Sequence, residues 1–404
     1  MKLFESRHGQ KVKRFIVGSL LEPWISTRRL ESYMIFWARF VYRARKPFII
    51  GITGSVGKST TTAMVASVLS NQDAVHIVGP VGCTVDNMND DWGVAATVLR
   101  FNGFFEIPWD YPRRLGMLFL IPFRTSLALI GLYPKVLVLE CGVGSTANFD
   151  RLVDIAPPDV AVVTMIGDAH LEVLQSLEGV MLEKSLLVRA APPSGLVILG
   201  QDHEYVFQLE QVARAPVVKV SGIGIELSRN ITRAICRHMG ISEEVMESGL
   251  RDFKSPKRRL ERLELCGMTV IDDTYNANPM SMKLGLDTLT ETAGPDRRRV
   301  AILGFMAELA EKSPRYHEEI GIYARSRSDV LIGVGELSKS YNPDIWFASS
   351  EACADRIEGL VRLADCLLVK GSHSARMLRV VERLRDIDEK RKMYPGPAEN
   401  AGAD

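Results

Sequence analysis

"FIIGITGSVGKSTTTAMV", Phe48 to Val65, runs from four apolar residues through a stretch of small residues into a Lys and four hydroxyls. The order is that of a buried strand, a tight loop and the first turns of a helix. Gly54 and Gly57 let the backbone curl with its N–H groups inward, Lys58 can reach phosphate oxygens, and the Ser59 hydroxyl at a helix start suits a magnesium ion. Position 52 is Ile, so the strict GxxxxGK[ST] spacing is not met, and the flanking strand and helix carry the reading instead. Thr53, Gly54, Ser55, Gly57, Lys58, Ser59 and Thr60 are expected to hold the phosphates of a nucleoside triphosphate. A glycine-rich turn that merely happens to carry a Lys would leave "KSTTT" unexplained.

Working outward, "KVLVLECG", "DVAVVTMIG" and "GLVILG" are continuous apolar runs rather than alternating ones, as in parallel strands covered on both faces. A second series of strands and helices starts near "SPKRRLERLELCGMTVIDDTYNANPMS", passes through "RRVAILGFM" and "DVLIGVG", and ends with "CLLVKGS" and a helix in "ARMLRVVERLRDIDEKR". The expected fold is α/β, with a P-loop-type central domain of mostly parallel sheet over residues 47–255 and a Rossmann-like C-terminal α/β domain over 256–390. Residues 1–46 are rich in Lys and Arg, and "RFIVGSLLEPWI" and "LESYMIFWARFVYRARK" read as amphipathic helices of a short arm. Such an arm can touch a membrane surface or a protein partner weakly, or pack on its own domain with its basic face in solvent. Residues 391–404, rich in Pro, Gly and Ala, are expected to form a flexible tail.

The chain has 404 residues, 46% hydrophobic and 25% charged, enough for two or three cored domains. A formal net charge of +1 gives no general attraction to nucleic acid, and no nucleic-acid partner is expected. The six cysteines lack CxxC spacing and read as small buried residues of a reducing compartment. With no signal-peptide pattern and no apolar run near the ~20 residues that span a bilayer, a cytoplasmic location is expected.

A phosphate loop alone does not say where the γ-phosphate goes. Open α/β sheets gather ligands at the carboxyl ends of strands, and three groups fall there: Glu140 ends "KVLVLE", His170 follows "DVAVVTMIG", and Lys184 lies downstream in "LEGVMLEKSLLV". Singly they read as a helix cap, a hydrogen-bonded imidazole and a solvated lysine. Together, beside a phosphate loop, a carboxylate and an imidazole can complete the shell of a second Mg²⁺.

With "GITGSVGKSTTT", "TVDNMNDDWGVAATVL", "LVLECG", "PPDVAVVTMIGDAHLEVLQSLEGVMLEKS", "RRLERLE", "VIDDTYNANPMSM", "AILGFMAEL" and "CLLVKGSHSARM" in this order, the chain resembles the Mur ligases, ATP-dependent amide-forming enzymes of peptidoglycan synthesis, and most of all their MurF-like branch. The resemblance implies an ADP-forming ligase that activates a carboxylate as an acyl phosphate and passes it to an amine. It implies ATP and two Mg²⁺ ions, with Lys58, Glu140, His170 and Lys184 as the catalytic set. Ser59, Glu140, His170 and Lys184 would serve the metals, Lys184 after reacting with CO₂ to give a carbamate. Arg259, Asp273 and Asn276 would reach the nucleotide from the C-terminal domain.

The same comparison marks departures. The MurF-like enzymes begin with a uridine-binding domain for which the basic arm is too short, and a small antiparallel sheet expected between "GLVILGQDH" and "SRNITRAICRHMGIS" has little room. Met165, Phe305 and Gly200–His203 differ from the family residues at those places. Arg28, Arg29, Arg39, Arg43, Arg45 and Lys46 could take over part of a diphosphate grip. The substrates are expected to be a small-molecule or peptide carboxylate and amine, with a peptidoglycan-precursor-like peptide first. A polyglutamate-type polymer or a small metabolite is the alternative within enzymes, and a non-catalytic nucleotide-binding scaffold the alternative outside them.

Overall fold

A computed structural model describes residues 27–85, 88–101, 111–143 and 149–393. The opening stretch forms strand β1 (Phe48–Thr53), and helix α2 (Lys58–Leu69) follows the loop; helix α1 (Thr27–Arg45) precedes them. The chain continues through β2 (Val81–Cys83), α3 (Asp91–Val98), α4 (Tyr111–Ile130), β3 (Val136–Glu140), β4 (Val160–Val163), α5 (Leu177–Ala190), β5 (Leu196–Gly200), β6 (Val217–Val220), α6 (Gly224–His238) and α7 (Glu243–Asp252). The six strands lie in the order β2-β3-β1-β4-β5-β6 and every neighbouring pair is parallel.

Alternation along β1 explains the layers. Ile50 and Ile52 point to one face, against Met64, Val65 and Val68 of α2, Ile231 and Ile235 of α6, and Met246 and Leu250 of α7. Ile49 points to the other, where α1, α3 and α5 supply Met34, Val94, Val98, Leu187 and Val188. Successive strand residues face opposite sides, so a run with no polar position requires helices on both, and the sequence supplies them.

The second sheet contains β7 (Glu261–Leu265), β8 (Met268–Asp273), β9 (Arg299–Gly304), β10 (Val330–Val334), β11 (Ile345–Phe347) and β12 (Cys366–Lys370), with α8 (Pro279–Ala293), α9 (Ser313–Arg325) and α10 (Leu378–Met393) on its faces. Its order is β11-β10-β9-β12-β8-β7, parallel except for the antiparallel pair of β7 with β8. Helix α10 runs through Met393, so residues 391–393 continue the helix where the sequence reading began the tail. Between β5 and α6 the chain makes one short helix, Val206–Val212, and the parallel edge strand β6.

Of the two arm helices read from the sequence, "LESYMIFWARFVYRARK" falls in α1 and "RFIVGSLLEPWI" lies outside the described residues. Two of the arm's basic residues hold α1 in place. Arg39 pairs with Asp154 at 3.2 Å, and Arg45 donates to the carbonyls of Ala128 and Gly131 at the end of α4.

Candidate functional site

In the first sheet β1 lies between β3 and β4, so the loop after β1 opens at the point where the strand order diverges, the usual crevice for a ligand in this architecture. Gly57 caps α2 with φ 87° and Gly54 has φ 145°, conformations that favour glycine. A Cβ on Gly54 would lie 1.9 Å from Thr164 Oγ1 and 3.0 Å from the Met165 nitrogen. The loop therefore forms a cradle with room only for backbone. Helical bonding in α2 begins with Thr61 N–H donating to the Gly57 carbonyl, and no side chain caps the N–H groups before it, which leaves the helix N-terminus open to an anion.

The loop is braced from β4. Ser55 N–H donates to the Met165 carbonyl at 2.8 Å, Ser55 Oγ donates to the Gly167 carbonyl at 2.7 Å, and Thr164 Oγ1 donates to the Val56 carbonyl at 2.6 Å. Of the residues read as phosphate ligands, Ser55 thus spends its hydroxyl inside the protein. Thr53 is fully buried and its Oγ1 has no hydrogen-bond partner among the described residues. Thr60 is half-buried in the first turn of α2.

Ser59 Oγ donates to Glu140 Oε2 at 2.5 Å, and Asn89 Nδ2 donates to Glu140 Oε1 at 2.9 Å. Glu140 is 3% exposed, and its backbone N–H is held by Thr84 Oγ1. A hydroxyl and a carboxylate beside a phosphate cradle are the oxygen ligands a Mg²⁺ takes, so the residues fit that ion. Lys58 Nζ donates to the Gly54 carbonyl at 2.8 Å, folded back over the loop. Burial holds its pKa below the ordinary lysine value and the Arg259 guanidinium adds to this, while Glu140 and Glu308 oppose it.

Lys184 is buried in α5 and has no hydrogen-bond or ion-pair partner among the described residues. Its pKa is lowered to about 7, first by burial and then by the positive charge of Lys58. An unpaired ammonium is costly in such a place, and the amine is neutral over much of the physiological range. His170 sits in the left-handed region at φ 55°, and its Nδ1 lies 2.8 Å from Glu308 Oε2. That contact leaves Nε2 for another ligand, the division of labour common when a carboxylate orients a metal-binding imidazole. Ser59 and Glu140 are brought together directly, whereas His170 meets Glu308 of the second domain. Among the described residues no group of three His, Cys, Asp or Glu is gathered as a cage.

The second domain closes the crevice. Asn278 caps α8, and its Nδ2 donates to the Ser55 carbonyl at 3.1 Å, so the helix start of one domain grips the phosphate loop of the other. Leu171 N–H donates to the Glu308 carbonyl. The Arg259 guanidinium lies 3.6 Å from the centre of the Tyr275 ring, and its charge acts on Lys58. Asp273, at the carboxyl end of β8, accepts from Lys370 Nζ at 2.5 Å and from Leu260 N–H at 3.2 Å. Asn276 accepts from Lys370 through its backbone carbonyl and turns its own Oδ1 to Ala277 N–H. Asp273 and Asn276 are thus anchored within their own domain, around Lys370. Sequence reasoning assigned no role to Asn89, Thr164, Asn278, Glu308 or Lys370; only their place within the quoted segments marked them.

Residues 52–103 and 125–256 match the family described as "Mur ligase middle domain", and residues 258–373 match "Mur ligase, glutamate ligase domain". The UDP-N-acetylmuramoyl-tripeptide–D-alanyl-D-alanine ligase of Mycobacterium tuberculosis is 28% identical over 406 aligned positions, covering 83% of this chain and 72% of the relative. MurF of Acinetobacter baumannii superposes with a TM-score of 0.73 at 21% identity, covering 88% of this chain and 80% of that one. MurF of Thermotoga maritima, solved with ADP, gives 0.72 at 22% identity, covering 89% and 84%.

Proposed function

Because the chain belongs to the Mur ligase family and is therefore an ADP-forming carboxylate–amine ligase, we propose that it joins a dipeptide of the D-alanyl-D-alanine kind to the terminal carboxylate of a peptidoglycan-precursor peptide. The observation that carries this reading is the grouping around the loop: Ser59 on Glu140 beside the glycine cradle, with Lys184, which has no partner among the described residues, within the field of Lys58.

In the first step a substrate carboxylate oxygen bonds to the γ-phosphorus and the bond to the bridging oxygen breaks, so that ADP leaves. In the second an amine nitrogen bonds to the acyl carbon, loses a proton, and inorganic phosphate departs with the electron pair of the acyl–oxygen bond. Lys58 and the open N–H groups of α2 stabilise charge on the phosphoryl oxygens, where preorganised donors contribute most. Ser59 and Glu140 would hold one Mg²⁺, and His170, with Lys184 as its carbamate, a second; bound there, such ions would supply positive charge to the transferred group. The neutral Lys184 amine can bond to CO₂ and release a proton, which turns it into an anion beside the positive charge of Lys58. Asn278 and Glu308, by holding the domains together, exclude the water that would hydrolyse the acyl phosphate. ATP as reactant and cysteines that are all unpaired fit a cytoplasmic enzyme.

Phosphate release from ATP and Mg²⁺ tests the reading. UDP-N-acetylmuramoyl-tripeptide with D-alanyl-D-alanine is compared with free amino acids and short peptides. Release that requires the muramyl pair supports the proposal; release with small substrates alone replaces its acceptor, and none with any pair removes the catalytic reading.

A further inference from the structure

Helices α1 and α4 lie side by side in the same direction, since Tyr33 Oη donates to the Leu118 carbonyl and Arg45 Nε to that of Ala128. Both turn apolar residues to solvent. On α4, Leu115, Phe119, Phe123, Leu127 and Ile130 recur every three or four positions along one exposed line, about 22 Å long at 1.5 Å per residue. On α1 the exposed line reads Arg29, Ser32, Phe36, Phe40, Arg43, with the two phenylalanines central and an arginine at each end. Trp37 packs edge-on to both, at 5.5 Å from Phe36 and 5.9 Å from Phe40. Phe119 is 76% exposed and Phe36 60%. Single exposed apolar residues need no explanation, but a line of them on each of two adjoining helices marks an interaction surface.

Charge identifies the occupant. Glu31 is the only carboxylate within either helix; it is half-buried and engaged by Arg151, while α1 ends in exposed Arg43 and Lys46 follows it. An apolar, aromatic-rich surface edged by cations fits the boundary of an anionic bilayer, where phenylalanine and tryptophan enter the acyl region and arginine meets phosphate. A second copy would bring the same cations, and neither helix offers an exposed carboxylate to set against them. Neither helix is long and apolar enough to cross a membrane, so the fit is to its surface. Both also lie largely outside the family domains: α1 ends before residue 52, and the middle-domain match omits residues 104–124.

We propose that the α1–α4 face docks the enzyme on an anionic membrane surface. The inference is independent of the ligase reading, because vesicle binding needs neither substrate nor turnover. The test is flotation of the full chain with vesicles of phosphatidylcholine alone or with one part in four phosphatidylglycerol. The wild type should float about tenfold more with the anionic vesicles and be released by high salt. Phe119→Ser with Phe123→Ser, and separately Phe36→Ser, should abolish flotation with unchanged circular dichroism and melting, since these side chains are already in water. Arg43→Glu, which removes no apolar contact, should reduce it and weaken its salt dependence. A wild type that stays with neither vesicle overturns the proposal, and so does flotation that survives all three changes. Sedimentation as a dimer that the phenylalanine changes dissociate would make the face a self-contact and overturn it equally.

Discussion

His170 and Glu308, one from each domain, meet at 2.8 Å, and both hold left-handed backbone conformations, φ 55° and 63°. Non-glycine residues rarely adopt these angles, and strain of this kind persists where the surroundings impose it, often at a functional crevice. The hydrogen bond from His170 and its positive field, helped by Lys58, hold the Glu308 carboxyl below the usual carboxylate range against the opposing effect of burial. Glu308→Gln keeps the shape and removes the charge. A charge-assisted bond is worth about 1.5–3 kcal/mol when buried, and solvent at a half-exposed Glu308 reduces that to about 1 kcal/mol. A loss of roughly fivefold in kcat/KM is expected, with a melting temperature lowered by no more than a few degrees. Equal kinetics in the variant would show that the pair is incidental to closure.

Gly54→Ala tests the cradle. Its methyl would collide with Thr164 Oγ1 and the Met165 backbone at a φ that disfavours any side chain. Because the neighbours are backbone and a hydroxyl already bonded to Val56, they cannot move aside. Nucleotide affinity measured by calorimetry should fall by at least about tenfold, as binding there needs the backbone's close approach.

Residues that act within one strand–loop–helix unit were legible in the sequence. The apolar runs of β1, β3, β4 and β5 and the Gly54–Ser59 loop are local patterns, and burial on both faces of the sheet leaves them no polar alternation to confuse. Pairs formed by tertiary docking were not. Glu308 is 138 residues from His170 in sequence, and Asn278 reaches Ser55 across 223; nothing within either segment encodes the partner. Helix α4 escaped for another reason: its apolar line faces water, and an amphipathic reading presumes that such a line faces a core.

Lys370 is the buried counterpart of Asp273. Their strands are in register at these two positions, so the parallel pairing of β12 with β8 delivers the ammonium to the carboxylate at 2.5 Å. Lys370 is 1% exposed. Removing one member leaves the other charge buried and unpaired, so Lys370→Met should cost about 3–5 kcal/mol in chemical denaturation. Lys370→Met combined with Asp273→Leu should recover much of that loss, because the cost lies in the orphaned charge. A double variant as unstable as the single would assign the loss to packing instead.

Lys184 should trade stability for chemistry. Its native pKa of about 7 lies well below the ordinary 10.5 of the unfolded chain. Below pH 7 both states carry the proton and the native state bears the whole cost of burying it. Between about pH 7 and 10.5 the unfolded chain holds more protons, so unfolding free energy rises with pH across that window. Lys184→Met removes the cost, and the variant should melt higher than the wild type at pH 6.5, with the gain shrinking toward pH 10. The same change should abolish turnover while leaving ATP binding intact, since Lys58 and the loop are untouched. Bicarbonate completes the argument: by converting the neutral amine to a carbamate it should raise wild-type activity and melting temperature near pH 7.5 and do neither for the variant. A wild type indifferent to bicarbonate, or a variant with full activity, would leave Lys184 as a buried lysine with no part in the reaction.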